Sequence, residues 1–261
     1  MIDKQDELRE TANRLATKGK GLLAVDESTP TIGKRLAGIN MENTEENRQA
    51  YRGMLFTSEG LGEYISGAIL FEETLYQNHA DGETMVAKLD KLGIIPGIKV
   101  DKGLRPLEGA HAVETWCQGL EGLAERTAEY YDRGARFAKW RAVITIGEDI
   151  PTAYCISANA HALARYAALC QEQELVPIVE PEILMDGTHT IEESYQLTTE
   201  TLYTVFYELA SQGVELEGMV LKPNMVLSGY DNSEQASVQD VAEMTVDCFL
   251  NTVPAAVPGI A

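Results

Sequence analysis

The chain has 261 residues, 44% hydrophobic, 24% charged and 7% aromatic, with 21 Lys and Arg against 41 Asp and Glu for a net charge of −20. That apolar content is enough to bury a continuous core in one large domain or two small ones, which excludes a disordered chain. The acidic surface excludes nucleic acid and anionic membranes as partners over most of its area, and no apolar run approaches the roughly 18 residues of a membrane span.

The N-terminal stretch MIDKQDELRETANRLATKGKG reads as an exposed charged helix over about 3–18. It has neither the apolar segment nor the small-residue cleavage site of a secretory signal. Short apolar runs then recur at 21–26 (GLLAVD), 65–71 (ISGAILF), 93–100 (GIIPGIKV), 136–144 (RFAKWRAVI), 175–182 (LVPIVEPE), 218–224 (GMVLKPN) and 257–261 (VPGIA). They are continuously apolar, as strands covered on both faces are. Helical periodicity is clearest at 114–134, 157–174 and 191–213, and two of these segments close near a Gly suited to a C-cap. Cys117, Cys155, Cys170 and Cys248 lie far apart, which is the usage of a reducing compartment. His79, His111, His161 and His189 are equally scattered, so no metal site is expected.

Strands alternating with helices predict parallel βαβ units in an α/β chain. No linker or change of composition divides residues 1–261, and seven or more units in one domain favour a (β/α)8 TIM barrel over an open sheet. Neither GxGxxG after the first strand nor GxxxxGK[ST] is present, so dinucleotide and P-loop readings lose their main support. The spacing from Phe71 to Lys99 is 28 residues, from Lys99 to Lys139 40, from Lys139 to Glu180 41 and from Glu180 to Lys222 42. Eight strands at that spacing need a longer chain. The expectation is therefore strands 1–6 and the start of strand 7 of a C-terminally incomplete barrel, whose unpaired edges would make it aggregate when expressed alone.

What ends each strand is the informative feature. Asp26-Glu27 follow the first, Lys99-Val100-Asp101-Lys102 the third, Lys139-Trp140-Arg141 lie in the fourth, Glu180-Pro181-Glu182 in the fifth and Lys222-Pro223-Asn224 in the sixth. A parallel barrel opens all its C-terminal strand ends onto the face that carries the active site. One lysine at a strand end usually just reaches solvent; five convergent strand ends argue for an enzyme. Three of the groups are lysines within apolar strings, where burial and neighbouring cations free an amine to attack a carbonyl. Carboxylates beside them can move the protons that imine chemistry requires.

Lys99, Lys102, Lys34 and Arg35 are candidates to hold a phosphate. The loop 27–35, ESTPTIGKR, offers hydroxyls and amides ahead of a helix, as a phosphate cradle or as a plain N-cap with surface charges. Trp140 and Arg141 fit barrel packing and a structural ion pair as well as a site role. Glu180 and Glu182 are two apart on a strand and face the same side, which is costly unless a lysine or a proton sits between them.

At these residues the chain resembles class I fructose-bisphosphate aldolases, the metal-independent Schiff-base type. LLAVDEST (22–29), ISGAILFEETLYQ (65–77), GIKVDKG (97–103), FAKWR (137–141), VPIVEPEIL (176–184) and VLKPNM (220–225) follow the family's order through essentially the whole chain, with 116–140 closest to plant and photosynthetic members.

The resemblance implies a barrel, usually tetrameric, that cleaves fructose 1,6-bisphosphate to dihydroxyacetone phosphate and glyceraldehyde 3-phosphate without a cofactor or metal. Phosphorylated sugars are the expected partners. Sedoheptulose 1,7-bisphosphate is an expected second substrate in a photosynthetic source, and the expected compartment is the cytoplasm or a plastid stroma.

Residue by residue, it makes Lys222 the imine-forming lysine and Glu180 the general acid/base. Glu182 becomes its partner that orders the lysines, Asp26 the group near the C4 hydroxyl, and Lys139 the cation beside Lys222. Lys99, Ser28 and Thr31 become phosphate contacts. Pro30-Thr31 departs mildly from the usual phosphate loop. Relatives continue past Gly259-Ile260-Ala261 into a further phosphate loop, a phosphate-binding arginine and a tyrosine-ended tail, so those roles are not carried over. The competing expectation is a catalytically silent or moonlighting sugar-phosphate-binding barrel. Other Schiff-base barrels, such as transaldolase, and zinc aldolases rank lower.

Overall fold

The computed structural model describes residues 4–111 and 113–261. Residue 3, the expected start of the first helix, lies outside them. The chain opens with α1 (Lys4–Leu15), β1 (Gly21–Val25), α2 (Thr29–Ala37), α3 (Glu45–Phe56) and the short α4 (Leu61–Tyr64). Next come β2 (Ile65–Leu70), α5 (Glu72–Tyr76), α6 (Met85–Lys91), β3 (Ile95–Lys99), β4 (Leu104–Pro106) and β5 (Thr115–Cys117). The second half holds α7 (Leu123–Asp132), β6 (Phe137–Ile144), α8 (Ala153–Glu172), β7 (Val176–Ile183), α9 (Ile191–Ser211), β8 (Val220–Leu221) and α10 (Val238–Thr252).

One sheet carries the order β1-β2-β3-β6-β7-β8, with every pairing parallel. Six of the seven strands expected from their apolar runs appear in it. The seventh begins where Ile260 bridges Leu221 in parallel, with Leu221 N donating to Gly259 O at 3.1 Å and Ala261 N to Leu221 O at 2.8 Å. The sheet curls as part of a TIM barrel. Lys139 on β6 meets Asp26, just past β1, at 3.1 Å, although three strand spacings would separate them by about 14 Å in a flat sheet.

The N-terminal helix corrects its reading as exposed. Leu8, Ala12 and Leu15, spaced three or four apart, are buried against Ile69, Ile95, Phe137, Val176, Ile178 and Val220. The charges of α1 face solvent while its apolar stripe closes the N-terminal mouth of the barrel, and it ends at Leu15 instead of residue 18. Phe137 fills that mouth so completely that a Cβ on Gly97 of the neighbouring strand would lie 2.2 Å from its ring. Glycine is required there by space.

The expected helix over 114–134 is corrected more sharply. Thr115–Cys117 form β5 and pair antiparallel with β4, a choice that suits a β-branched and an aromatic residue in succession. Gly119 at φ +128° and Gly122 at φ +64° then hold backbone that no right-handed helix adopts, so α7 starts only at Leu123. The helix read at 157–174 begins earlier, at Ala153. There Thr152 caps it by accepting from Cys155 N, and buried Glu114 accepts from Thr152 N.

Outside the sheet, α8 lays Ala160, Leu163, Ala164, Ala167 and Cys170 into the main core. Its buried Tyr166 hydroxyl donates to Ala138 O at 2.8 Å, which ties helix to strand. All four cysteines are free and buried.

Candidate active site

Alternation along the strands decides which groups enter the barrel. On β6, Trp140 turns outward against Tyr166, so Lys139 and Arg141 turn inward; on β7, Glu180 and Glu182 do so. Register then sets their neighbours: Lys99 is level with Lys139, and Arg141 with Glu180. Lys222 follows β8, its N–H donating to Val179 O at 2.8 Å.

These groups form a chain of alternating charge. Lys222 Nζ donates to Glu180 Oε1. Glu180 Oε2 stands 2.8 Å from Lys139 Nζ, and Lys139 Nζ donates to Asp26 Oδ2 at 3.1 Å. Glu180 and Lys139 are 3% and 6% exposed, while the Lys222 side chain is 32% exposed. The inner pair is therefore fixed and shielded, and the outer amine is open to a substrate.

Burial, the largest single influence on Lys139, pushes its pKa down, but the Asp26 and Glu180 carboxylates together outweigh it and the ammonium ends above the ordinary lysine value. Lys139 is thus a permanent cation beside Glu180.

The second cluster sits on the rim. Lys99 Nζ is bound by Asp101, through its carboxylate Oδ1 and its carbonyl O, the latter at 3.0 Å. Arg141 Nε donates to Glu182 Oε2. Burial lowers the Arg141 pKa, yet its contact with Glu182 leaves the guanidinium above its ordinary value. Glu182 therefore rests on an arginine, where the sequence led one to expect it among the lysines.

Ser28 Oγ and Thr31 Oγ1 lie 3.0 Å apart at the start of α2. Asp26, Ser28, Thr31, Lys99, Lys139 and Arg141 line one cavity of about 290 Å³. Lys222 lines a second, of about 280 Å³, between β1 and residues 259–261.

Three candidates fall elsewhere. Lys34 and Arg35 are exposed on α2 and do not line the cavity; Arg35 donates to Glu27. Lys102 turns away to pair with Glu72 at 3.1 Å. Both departures follow from helix and loop directions that charge alone does not encode.

Glu27, Asp101 and Cys117 also line the cavity without having been assigned a site role. Asp101 lies two residues beyond Lys99, a spacing that puts it on the same side. Cys117 comes from β5, which was read as helix, and burial pushes its thiol up to about 12; it is no nucleophile at neutral pH.

Comparison with known proteins places the chain among aldolases. Residues 7–261 match the family described as "Fructose-bisphosphate aldolase class-I". A "Probable fructose-bisphosphate aldolase class 1" of Xanthomonas campestris pv. campestris is 58% identical over 255 residues, covering 98% of this chain and 76% of that protein. "Fructose-bisphosphate aldolase 3, chloroplastic" of Arabidopsis thaliana is 54% identical over 98% of this chain and 65% of its own length. Among solved structures, fructose-bisphosphate aldolase of Plasmodium falciparum, in a ternary complex with TRAP and a small-molecule inhibitor, superposes with a TM-score of 0.98 at 52% identity, over 100% of this chain and 76% of that one.

Proposed function

The chain belongs to the class-I fructose-bisphosphate aldolase family, and from that premise we propose that Lys222 is the Schiff-base lysine of a lyase whose proton transfers run through Glu180 and Asp26. The supporting observation is the alternating chain from Lys222 through Glu180 and Lys139 to Asp26, with its two inner members buried and Lys222 the most exposed of the four.

The reaction follows from that order. Lys222 Nζ gives a proton to Glu180 and attacks the C2 carbonyl of fructose 1,6-bisphosphate. Glu180 returns the proton to the carbinolamine oxygen, water leaves, and a protonated imine forms. Asp26 takes the proton of the C4 hydroxyl. The C3–C4 bond then breaks, its electron pair flowing into the imine to give an enamine, and glyceraldehyde 3-phosphate departs. Protonation at C3 and attack by water on the regenerated imine release dihydroxyacetone phosphate.

In this reading Lys139 stays protonated and keeps Glu180 and Asp26 oriented, while Lys99, Ser28 and Thr31 bind a substrate phosphate, with Arg141 on the same wall. Lys34 and Arg35 would contribute only a diffuse positive field. The chain is read as one barrel domain, working as a homotetramer in a bacterial cytoplasm or a plastid stroma. The bacterial and chloroplastic relatives support the compartment.

Borohydride trapping with dihydroxyacetone phosphate, read by intact mass and peptide mapping, tests the assignment. The expected result is one adduct on Lys222 and none in Lys222→Ala, whose cleavage rate falls by about 10⁴ or more. An adduct on another lysine would overturn the role of Lys222. No adduct at all would leave a sugar-phosphate-binding barrel.

A further inference from the structure

Arg52 has no exposed surface, lies on α3 and does not itself line the candidate cavity, although its partner Glu27 does. Burying a guanidinium is costly unless its donors are used; here Nε has no hydrogen-bond partner among the described residues, and the two terminal nitrogens reach the segments that follow β1 and β2. Nη2 donates to the main-chain O of Glu27 at 2.8 Å, and Nη1 to Glu73 Oε1 at 3.4 Å. The Glu27 carboxylate lies 4.0 Å from Nη2, and the guanidinium stands over Phe71 at 5.6 Å from the ring centroid.

Glu27 follows Asp26 directly and precedes Ser28. Glu73 lies in the first turn of α5, just after β2, and is also gripped by Arg48 through both of its carboxylate oxygens, at 2.9 and 2.5 Å. Arg52 thus bridges the segments that follow β1 and β2, and Arg48, one helical turn away on α3, holds the Glu73 side of that bridge.

Asp26 reaches Lys139 across the barrel at 3.1 Å, and its own backbone is fixed by β1 on one side only. On the other side the next carbonyl is held by Arg52. We propose that Arg52 is a positioning residue for the cleavage step. Its bond to the Glu27 carbonyl sets the reach of Asp26 toward Lys139 and toward the C4 hydroxyl of the substrate. Arg52 touches neither substrate nor reacting atoms. The proposal rests on the reading of Asp26 given above.

A double-mutant cycle over Arg52→Met and Asp26→Asn separates the two ideas. Arg52→Met is expected to lower kcat for fructose 1,6-bisphosphate cleavage by about 10²-fold, the scale of a misplacement near 1 Å. Borohydride trapping of dihydroxyacetone phosphate on Lys222 at saturating ligand should stay within about 3-fold of the parent, because that step uses Glu180. In an Asp26→Asn background, Arg52→Met should cost less than about 3-fold further, since the group it positions is already disabled. Arg52→Lys keeps a cation and one donor and should recover part of kcat; it decides the matter if Arg52→Met does not fold.

Multiplicative losses in the cycle, or trapping that falls in step with kcat, would overturn the positioning role. Asp26→Asn with unchanged kcat would instead overturn the reading of Asp26, a result visible before Arg52 is altered.

Discussion

The two mouths of the barrel are built on the same strands and differ residue by residue. Along β6 the inward positions run Phe137, Lys139, Arg141; along β7, Val176, Ile178, Glu180, Glu182; at β8, Val220 and then Lys222. The lower members are fully buried against Leu8, Ala12 and Leu15 of α1. The upper members are ionic, and each partner lies on a different strand. One strand therefore supplies packing at its start and chemistry at its end, within a few residues. The change occurs in a single step of the alternation: Phe137 touches α1, and Lys139 touches Asp26 and Glu180.

The difference predicts that damage at the two mouths separates into activity and stability. The largest effect belongs to the upper one. Glu180→Gln removes the shared carboxylate between Lys222 and Lys139 while keeping its shape. Steady-state assays should show kcat reduced about 10²- to 10⁴-fold, the range carried by a positioned acid/base. Trapping on Lys222 should slow in parallel. A variant within a few-fold of the parent would remove Glu180 from the proton path.

At the lower mouth, Phe137→Ala should do the opposite. Truncating a fully buried phenylalanine costs about 3–5 kcal/mol, measurable as a lower urea midpoint with an unchanged m value. Activity per folded molecule should persist. A loss of kcat without loss of stability would break the division between the two mouths.

The upper mouth was far more legible in the sequence than its surroundings. Lys222, Glu180, Lys139 and Asp26 stand out because charges inside apolar strings are rare and demand partners. A parallel sheet brings strand ends together whatever the intervening helices do. The lower mouth was misread for the converse reason: α1 is so rich in charge that its narrow stripe of Leu8, Ala12 and Leu15 went unnoticed.

The hairpin β4–β5 was hidden by apolar positions that also satisfy a helical period. Only Gly119 and Gly122, at positive φ, break that period. Arg52 carries no signal in a single sequence, and Asp101 stands out only as one of the charges at the end of the third strand. Their meaning lies in the carbonyl of Glu27 and in Lys99, contacts set by tertiary structure. α10 likewise announces itself only through the capping box of Ser237 and Asp240.

The smallest effect concerns pH and again contrasts the two mouths, since only the upper one titrates. Burial depresses the Lys139 pKa, and the carboxylates of Asp26 and Glu180 raise it by more, so the folded value lies above the ordinary 10.5. The folded protein therefore holds this proton more tightly than the unfolded chain does. The stability gained is fully present below pH 10.5 and is lost as the pH climbs through the folded value.

Lys139→Met abolishes both of its ion pairs at every pH, leaving Asp26 without that cation and Glu180 with Lys222 alone, a loss of about 3–5 kcal/mol at pH 8. The unaltered protein reaches the same unpaired condition only at high pH. The gap in unfolding free energy between the two should thus stay constant from pH 7 to about 10 and narrow above it. Urea titrations at closely spaced alkaline pH values read that gap directly, because the other titrating lysines and tyrosines are common to both proteins. A gap that stays constant through pH 11.5 would mean that Lys139 is not held by its carboxylates. Phe137→Ala, which touches no titrating group, provides the control, and its gap should show no such narrowing.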